Sequence, residues 1–345
     1  MKKNNFTNFL KLGVFLFGIS LFLWNCEKEE IIIEQSEKSY TLNLGLTKLP
    51  PMPSIEYKYF LWASKNGEDK LIGAFSILAE DEIVDGQEFS RYISFNGISK
   101  DWVEEEINIT ITIEKNSEMP SEPSNWIVSK GLGNLTSNSI LLSLEGGLFE
   151  SGNQSFLNSK AGFFLNAPSI GSIGGNHNGI WFIDDLSATA GGFEDFPALG
   201  ERWEYSAWII LDDNTPADNS IPVPIGKFSN ISQTDTSIYG TSFNNEFKGA
   251  NSVYPFVGED YIDDPNGKFS NLDFPLDLRR PSSVLNSKPS VIISIRPKSY
   301  ANTSKPFPIW AFTKRINVTE SLSEKIIMDN KNLTVDFSAR LSLIQ

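Results

Sequence analysis

Cysteine and histidine are almost missing from this chain, which has one of each in 345 residues, Cys26 and His177. A solitary cysteine cannot form an internal disulfide, so core burial alone must hold the fold. A solitary histidine restricts any His-based triad or multi-histidine metal centre to one residue. His177 lies in Gly174-Gly175-Asn176-His177-Asn178-Gly179, where turn chemistry accounts for its neighbours, and it is expected as an exposed turn residue. Long apolar runs are missing too: the most apolar stretch, 14–24, is shorter than the roughly twenty residues a membrane span needs. No long segment carries a period of 3.6, which argues against a helical architecture. Positive charge is scarce, with 29 Lys and Arg against 43 Asp and Glu and a formal net charge of −14. Nucleic acid and anionic lipid surfaces would repel such a body.

The first thirty residues are the most informative. Lys2, Lys3 and Lys11 precede the uncharged run 14–24, which is followed closely by Cys26. Charged leader, short apolar run and processing site form the layout of a secretory signal peptide. With the cysteine directly behind the run, the segment resembles the signal of bacterial lipoproteins, although Leu23-Trp24-Asn25-Cys26 departs from the small residues usual before the cysteine. The resemblance implies removal of 1–25 and acylation of Cys26, so that the protein meets the membrane through a lipid anchor. Loss of the three lysines would take the formal charge from −14 to about −17. The cluster Glu27-Lys28-Glu29-Glu30 resembles the signal that sends some Gram-negative lipoproteins to the outer face of the outer membrane. It also reads as a solvated charge run within a short acidic tether, 26–39.

Internal repetition follows. The chain reads Tyr57-Lys58-Tyr59-Phe60-Leu61-Trp62 in one place and Trp203-Glu204-Tyr205-Ser206-Ala207-Trp208 in another, each after a proline-bearing approach. Gly73-Ala74-Phe75 follows the first and Gly226-Lys227-Phe228 the second. Ile109, Ile111 and Ile113 alternate with threonines, and Val291, Ile293 and Ile295 alternate with Ile292 and Ser294, the period of a strand. Pro120 and Pro123, or Pro306 and Pro308, mark the next turns, and Trp126 and Trp310 come after them. Five landmarks in one order predict two homologous domains. Trp62, Trp208, Trp126 and Trp310 could be taken for a sugar platform, but recurrence at equivalent strand positions favours core packing.

At these residues the chain resembles the extracytoplasmic C-terminal domain of anti-sigma-K factors, which has an aromatic strand ending in tryptophan, a Gly-x-Phe-like strand and a Thr-Ile-Glu-Pro-like strand. Thr110-Ile111-Thr112-Ile113-Glu114 and Ile293-Ser294-Ile295-Arg296-Pro297 carry the last of these. The resemblance implies a fold and no catalytic residue. The expected architecture is all-β, two tandem antiparallel Ig-like β-sandwiches over 40–145 and 161–345, with 146–160 as linker and an enlarged loop over 229–280. Strands are expected at 40–46, 57–62, 107–113, 140–144, 180–183, 205–211, 291–295 and 333–343. Helical turns are expected only at 101–106 and 320–327.

Chemistry-bearing motifs are few. Acidic pairs that might run a carboxylate-dependent glycan hydrolase are abundant, but no motif selects one. The expectation is no cofactor, with calcium as the one alternative, through Asp212, Asp213 and Asp218 or Asp263 and Asp264. Neither group has the spacing of a recognised calcium loop, and Asp is also a default turn former. Tyr239, Phe243, Phe247, Tyr254, Phe256 and Tyr261 stand among Gly, Asn and Ser, a mixture suited to a partner-binding loop or, alternatively, to aromatics that cap the sandwich. The reading is a non-enzymatic binding or scaffolding lipoprotein of the outer membrane whose partner is an envelope protein or glycan. An accessory sensor in sigma-factor signalling is the alternative.

Overall fold

Period-two alternation of apolar and polar residues is what builds this molecule. A computed structural model describes residues 39–345 except 53–55, 79–87, 118, 137–138, 153, 169–176, 212–220, 230–255, 265–266, 268, 270–271, 280–288, 302–303, 322 and 345. The first strands are β1 (Ser39–Thr47), β2 (Tyr57–Lys65), β3 (Glu68–Phe75) and β4 (Arg91–Ser99). A five-residue helix α1 (Lys100–Glu104), which buries Trp102 and Val103, leads into β5 (Ile107–Lys115), β6 (Ile127–Gly133) and β7 (Ile140–Leu142). There follow β8 (Lys160–Leu165), β9 (Gly179–Trp181), β10 (Phe193–Glu194), β11 (Trp203–Ile210), β12 (Pro222–Phe228) and β13 (Gly258–Asp260). The last are β14 (Ser290–Pro297), β15 (Ile309–Arg315), β16 (Ile326–Ile327), β17 (Asp329–Asn330) and β18 (Ser338–Leu343). The fold is all-β, and every pairing between these strands is antiparallel.

Among the described residues four sheets result, ordered β4-β1-β18-β7, β3-β2-β5-β6, β10-β8-β9-β13 with β16 on β8, and β12-β11-β14-β15-β17. The arrangement is sandwich-like. Leu42, Leu44 and Leu46 of β1 share one hydrophobic cluster with Tyr59 and Leu61 of β2 and with Ile109, Ile111 and Ile113 of β5. That cluster continues without a break into Phe163, Tyr205, Ile293 and Ile295. Gly73 in β3 is required by this closeness, because a Cβ there would lie 2.3 Å from the Phe95 ring of β4.

Two of the sheets match in order and register. Tyr59 pairs with Ile113 and Leu61 with Ile111, as Tyr205 pairs with Ile295 and Ala207 with Ile293. On the other side Tyr59 pairs with Phe75 and Leu61 with Gly73, as Tyr205 pairs with Phe228 and Ala207 with Gly226. Irregularities fall at the same places, Leu61/Trp62 and Ala207/Trp208, then Ile111/Thr112 and Ile293/Ser294. Register also corrects one landmark. Thr112 pairs with Ile127 and Ser294 with Trp310, so Trp310 matches Ile127, and Trp126 matches Ile309. One residue of offset changes the face: Trp126 packs against the core whereas Trp310 is 39% exposed.

Two segments behave unlike their local composition. The C-terminal strand β18 returns to the first half and lies between β1 and β7, so residues after the second pair of sheets complete the first. Residues 146–160, read from composition as linker, contribute the fully buried Leu148, Phe149 and Phe156 to the core. Residues 39–345 accordingly form one compact unit. Of the two expected helical turns the first is α1, while the described part of 320–327 holds a bend at 323–324 and the short strand β16.

Candidate functional site

The end of β5 carries the feature with the most chemistry. Its isoleucines point inward, leaving Thr112 and Glu114 on the opposite face. Trp62 of β2 donates its indole Nε1–H to Thr112 Oγ1 at 3.0 Å, and Thr112 donates in turn to Glu114 Oε1 at 2.6 Å. Ser124 N–H also donates to Glu114 Oε1, at 2.8 Å. The Ser124 hydroxyl donates to the Ile113 carbonyl at 3.2 Å and accepts the Trp126 N–H at 3.1 Å, so the turn after β5 is stitched back onto the strand. Pro120 and Pro123 interrupt that turn because they lack the N–H that would extend the ladder.

An open groove of about 510 Å³ lies here, lined by Glu114, Lys115, Ser117, Met119, Pro120, Ser121, Ser124 and Trp126. Trp126 is held from behind. Its ring centroid lies 5.8 Å from Tyr57, 6.1 Å from Tyr300 and 5.7 Å from Phe307, and its Nε1–H donates to Ser299 Oγ at 2.9 Å. The Tyr57 and Tyr300 rings meet edge to face at 6.3 Å, and burial pushes both phenols upward. Trp203 Nε1–H donates to the Ile127 carbonyl at 2.9 Å, and Lys305 pairs with Glu56 at 2.5 Å. Residues of the loop between β14 and β15 thus buttress a groove that opens on the β5–β6 turn.

The matching corner of the second sheet is filled. Arg296 stands where the first sheet has Glu114, and Glu204 where it has Lys58. Arg296 Nε lies 3.3 Å from Glu204 Oε1, its Nη2 donates to the Tyr300 carbonyl, and its guanidinium sits 5.1 Å from the Tyr300 ring. Lys227 lies 3.8 Å from the same carboxylate oxygen. Burial raises the Glu204 pKa and lowers that of Arg296, so for both groups loss of hydration outweighs the mutual attraction.

Cys26, Asp212, Asp213, Asp218, Tyr239, Phe243, Phe247 and Tyr254 lie outside the described residues. Phe256 is half-buried and packs on a small cluster of Phe164, Trp181 and Ile183. Tyr261, expected in a binding loop, is fully buried and donates its hydroxyl to the Pro224 carbonyl at 2.9 Å, because it directly follows β13 into the core. Asp264 accepts the Phe269 N–H at 2.6 Å, and Asp263 accepts the Asp264 N–H at 2.8 Å, which makes both turn formers. Among the described residues no group of three or more His, Cys, Asp or Glu is placed to hold a metal ion. His177 is half-buried rather than exposed, and its pKa is lowered by burial and by Arg279, against an opposing effect of Asp277. The groove itself escaped sequence reading; its one signal was a proline-bearing turn closing on a tryptophan.

Comparisons with protein-family models, with curated proteins and with solved structures found no match.

Proposed function

We propose that the protein is a non-enzymatic lipoprotein of the cell envelope, held at the outer membrane through acylated Cys26, whose sandwich-like body serves as a binding module. The observation that carries this reading is the solitary cysteine close behind a charged leader and an uncharged run. A single acyl chain anchors only reversibly, so stable attachment rests on the several chains such a cysteine receives. Binding is supported by the groove beside Trp126, whose volume of about 510 Å³ falls within the usual range for small-ligand sites. The groove is built on a strand end and on a turn that is hydrogen-bonded back to that strand.

Fractionation of cells tests the anchoring. Wild-type protein should partition with membranes, and Cys26→Ser should appear in the soluble fraction. A variant that stays membrane-bound as firmly as wild type would remove the lipid anchor from this account.

A further inference from the structure

We propose that the groove beside Trp126 is a subsite for an uncharged sugar ring. The inference rests on the binding-module reading above and supplies its ligand class.

Trp126 provides an apolar wall that needs no ordering on binding. Three aromatic neighbours and the hydrogen bond to Ser299 already fix its indole. Glu114 provides an acceptor whose position is equally fixed, since Thr112 and Ser124 both donate to Oε1. Neither bond uses Oε2, and a carboxylate oxygen accepts strong charge-assisted bonds from hydroxyl groups. Ser117 and Ser121 add hydroxyls that can donate as well as accept. A ligand with one C–H-rich face and a rim of hydroxyls satisfies all of these together. An anionic ligand would meet Glu114 and a chain of net charge −14, and Lys115 offsets the charge of Glu114 within the groove. The matching corner of the second sheet is occupied by the buried Arg296, so it does not repeat this site.

Calorimetric titration of the detergent-solubilised full chain tests the assignment. The probes are cellotetraose, maltotetraose, mannotetraose and chitotetraose, with an oligogalacturonate as the anionic comparison and a Met- and Pro-containing peptide as the competing ligand class. At least one uncharged oligosaccharide should bind saturably with a stoichiometry near one. Affinity should fall about tenfold or more, roughly the loss of one good contact, in Glu114→Gln and in Ser121→Trp. The second variant fills the groove from an exposed turn position and leaves the core untouched. Trp310→Ala, at an exposed tryptophan outside the groove, should bind as wild type. Sugar binding that survives Ser121→Trp would overturn the site. Peptide binding that Ser121→Trp abolishes, without any sugar binding, would overturn the ligand class and keep the binding module. No binding of any probe would overturn both.

Discussion

Glu204 and Arg296 face each other across β11 and β14 at 3.3 Å, in the position where the first matching sheet pairs Lys58 with Glu114. The sign of the charge is reversed between the two sheets, and the second pair is almost wholly buried, with Arg296 2% exposed. Removing Arg296 leaves the buried Glu204 carboxylate with only the more distant Lys227 beside it. Arg296→Met should therefore cost about 3–5 kcal/mol at neutral pH. The pKa of Glu204 is already raised by burial, and loss of Arg296 would raise it further. A carboxyl with a raised folded-state pKa favours the fold below its unfolded pKa, and that contribution is lost as pH rises through the folded value. The penalty of Arg296→Met should thus shrink as the pH is lowered and Glu204 takes up a proton. Urea unfolding of variant and wild type at neutral and acidic pH measures this; a pH-independent difference would contradict it.

Tyr59 and Tyr205 each donate to a proline carbonyl at 2.7 Å, Pro50 in one case and Pro197 in the other. Both tyrosines are buried, and a buried acceptor that loses its donor costs about 1–3 kcal/mol. Tyr59→Phe and Tyr205→Phe should destabilise by similar amounts. Burial pushes both phenols well above the usual value of about 10. Their contribution is full below that value and is lost as pH rises toward the folded one, so each variant should also lessen alkaline unfolding. Base titration followed by circular dichroism checks the second expectation.

The tryptophans separate by burial. Trp62 and Trp208 are buried, and truncation of either to Ala should cost about 3–5 kcal/mol. Trp310 is partly exposed, and Trp310→Ala should cost under about 1 kcal/mol. Equal losses at all three positions in chemical denaturation would undo the register assigned to β15.

Deleting 338–345 should damage the half of the protein that lies farthest from it in sequence. β18 sits between β1 and β7 and buries Ala339 and Leu341, so its loss opens a sheet in the middle. Thermal unfolding of the shortened chain should lose cooperativity. A melting curve unchanged from wild type would contradict the closure.

Much of this fold was legible because alternation is local. Ile109, Ile111 and Ile113 declare one buried face by themselves, and the aromatic segments at Tyr57 and Trp203 declare matching strands. What stayed hidden depends on partners distant in sequence. Nothing within 338–343 says that it lies beside β1 instead of its sequence neighbours. Trp126 and Trp310 looked equivalent because each closes a proline-bearing turn, but Ile295 pairs with Ile309, so Trp310 falls one place later in register and on the other face. Phe149 and Phe156 sit in a polar, glycine-bearing stretch, and only their contacts reveal them as core: Phe149 packs on Phe156, which meets Phe196, Tyr205 and Phe312 edge to face. The groove is a product of tertiary structure, since Tyr300 and Phe307 reach Trp126 from more than 170 residues away in sequence.

Mass spectrometry of the N-terminal peptide from membrane-extracted protein tests the central claim most directly. The account predicts a peptide that begins at Cys26 and carries acyl chains on that residue, with 1–25 removed. A peptide in which Cys26 keeps a free thiol and 1–25 remain attached would contradict it.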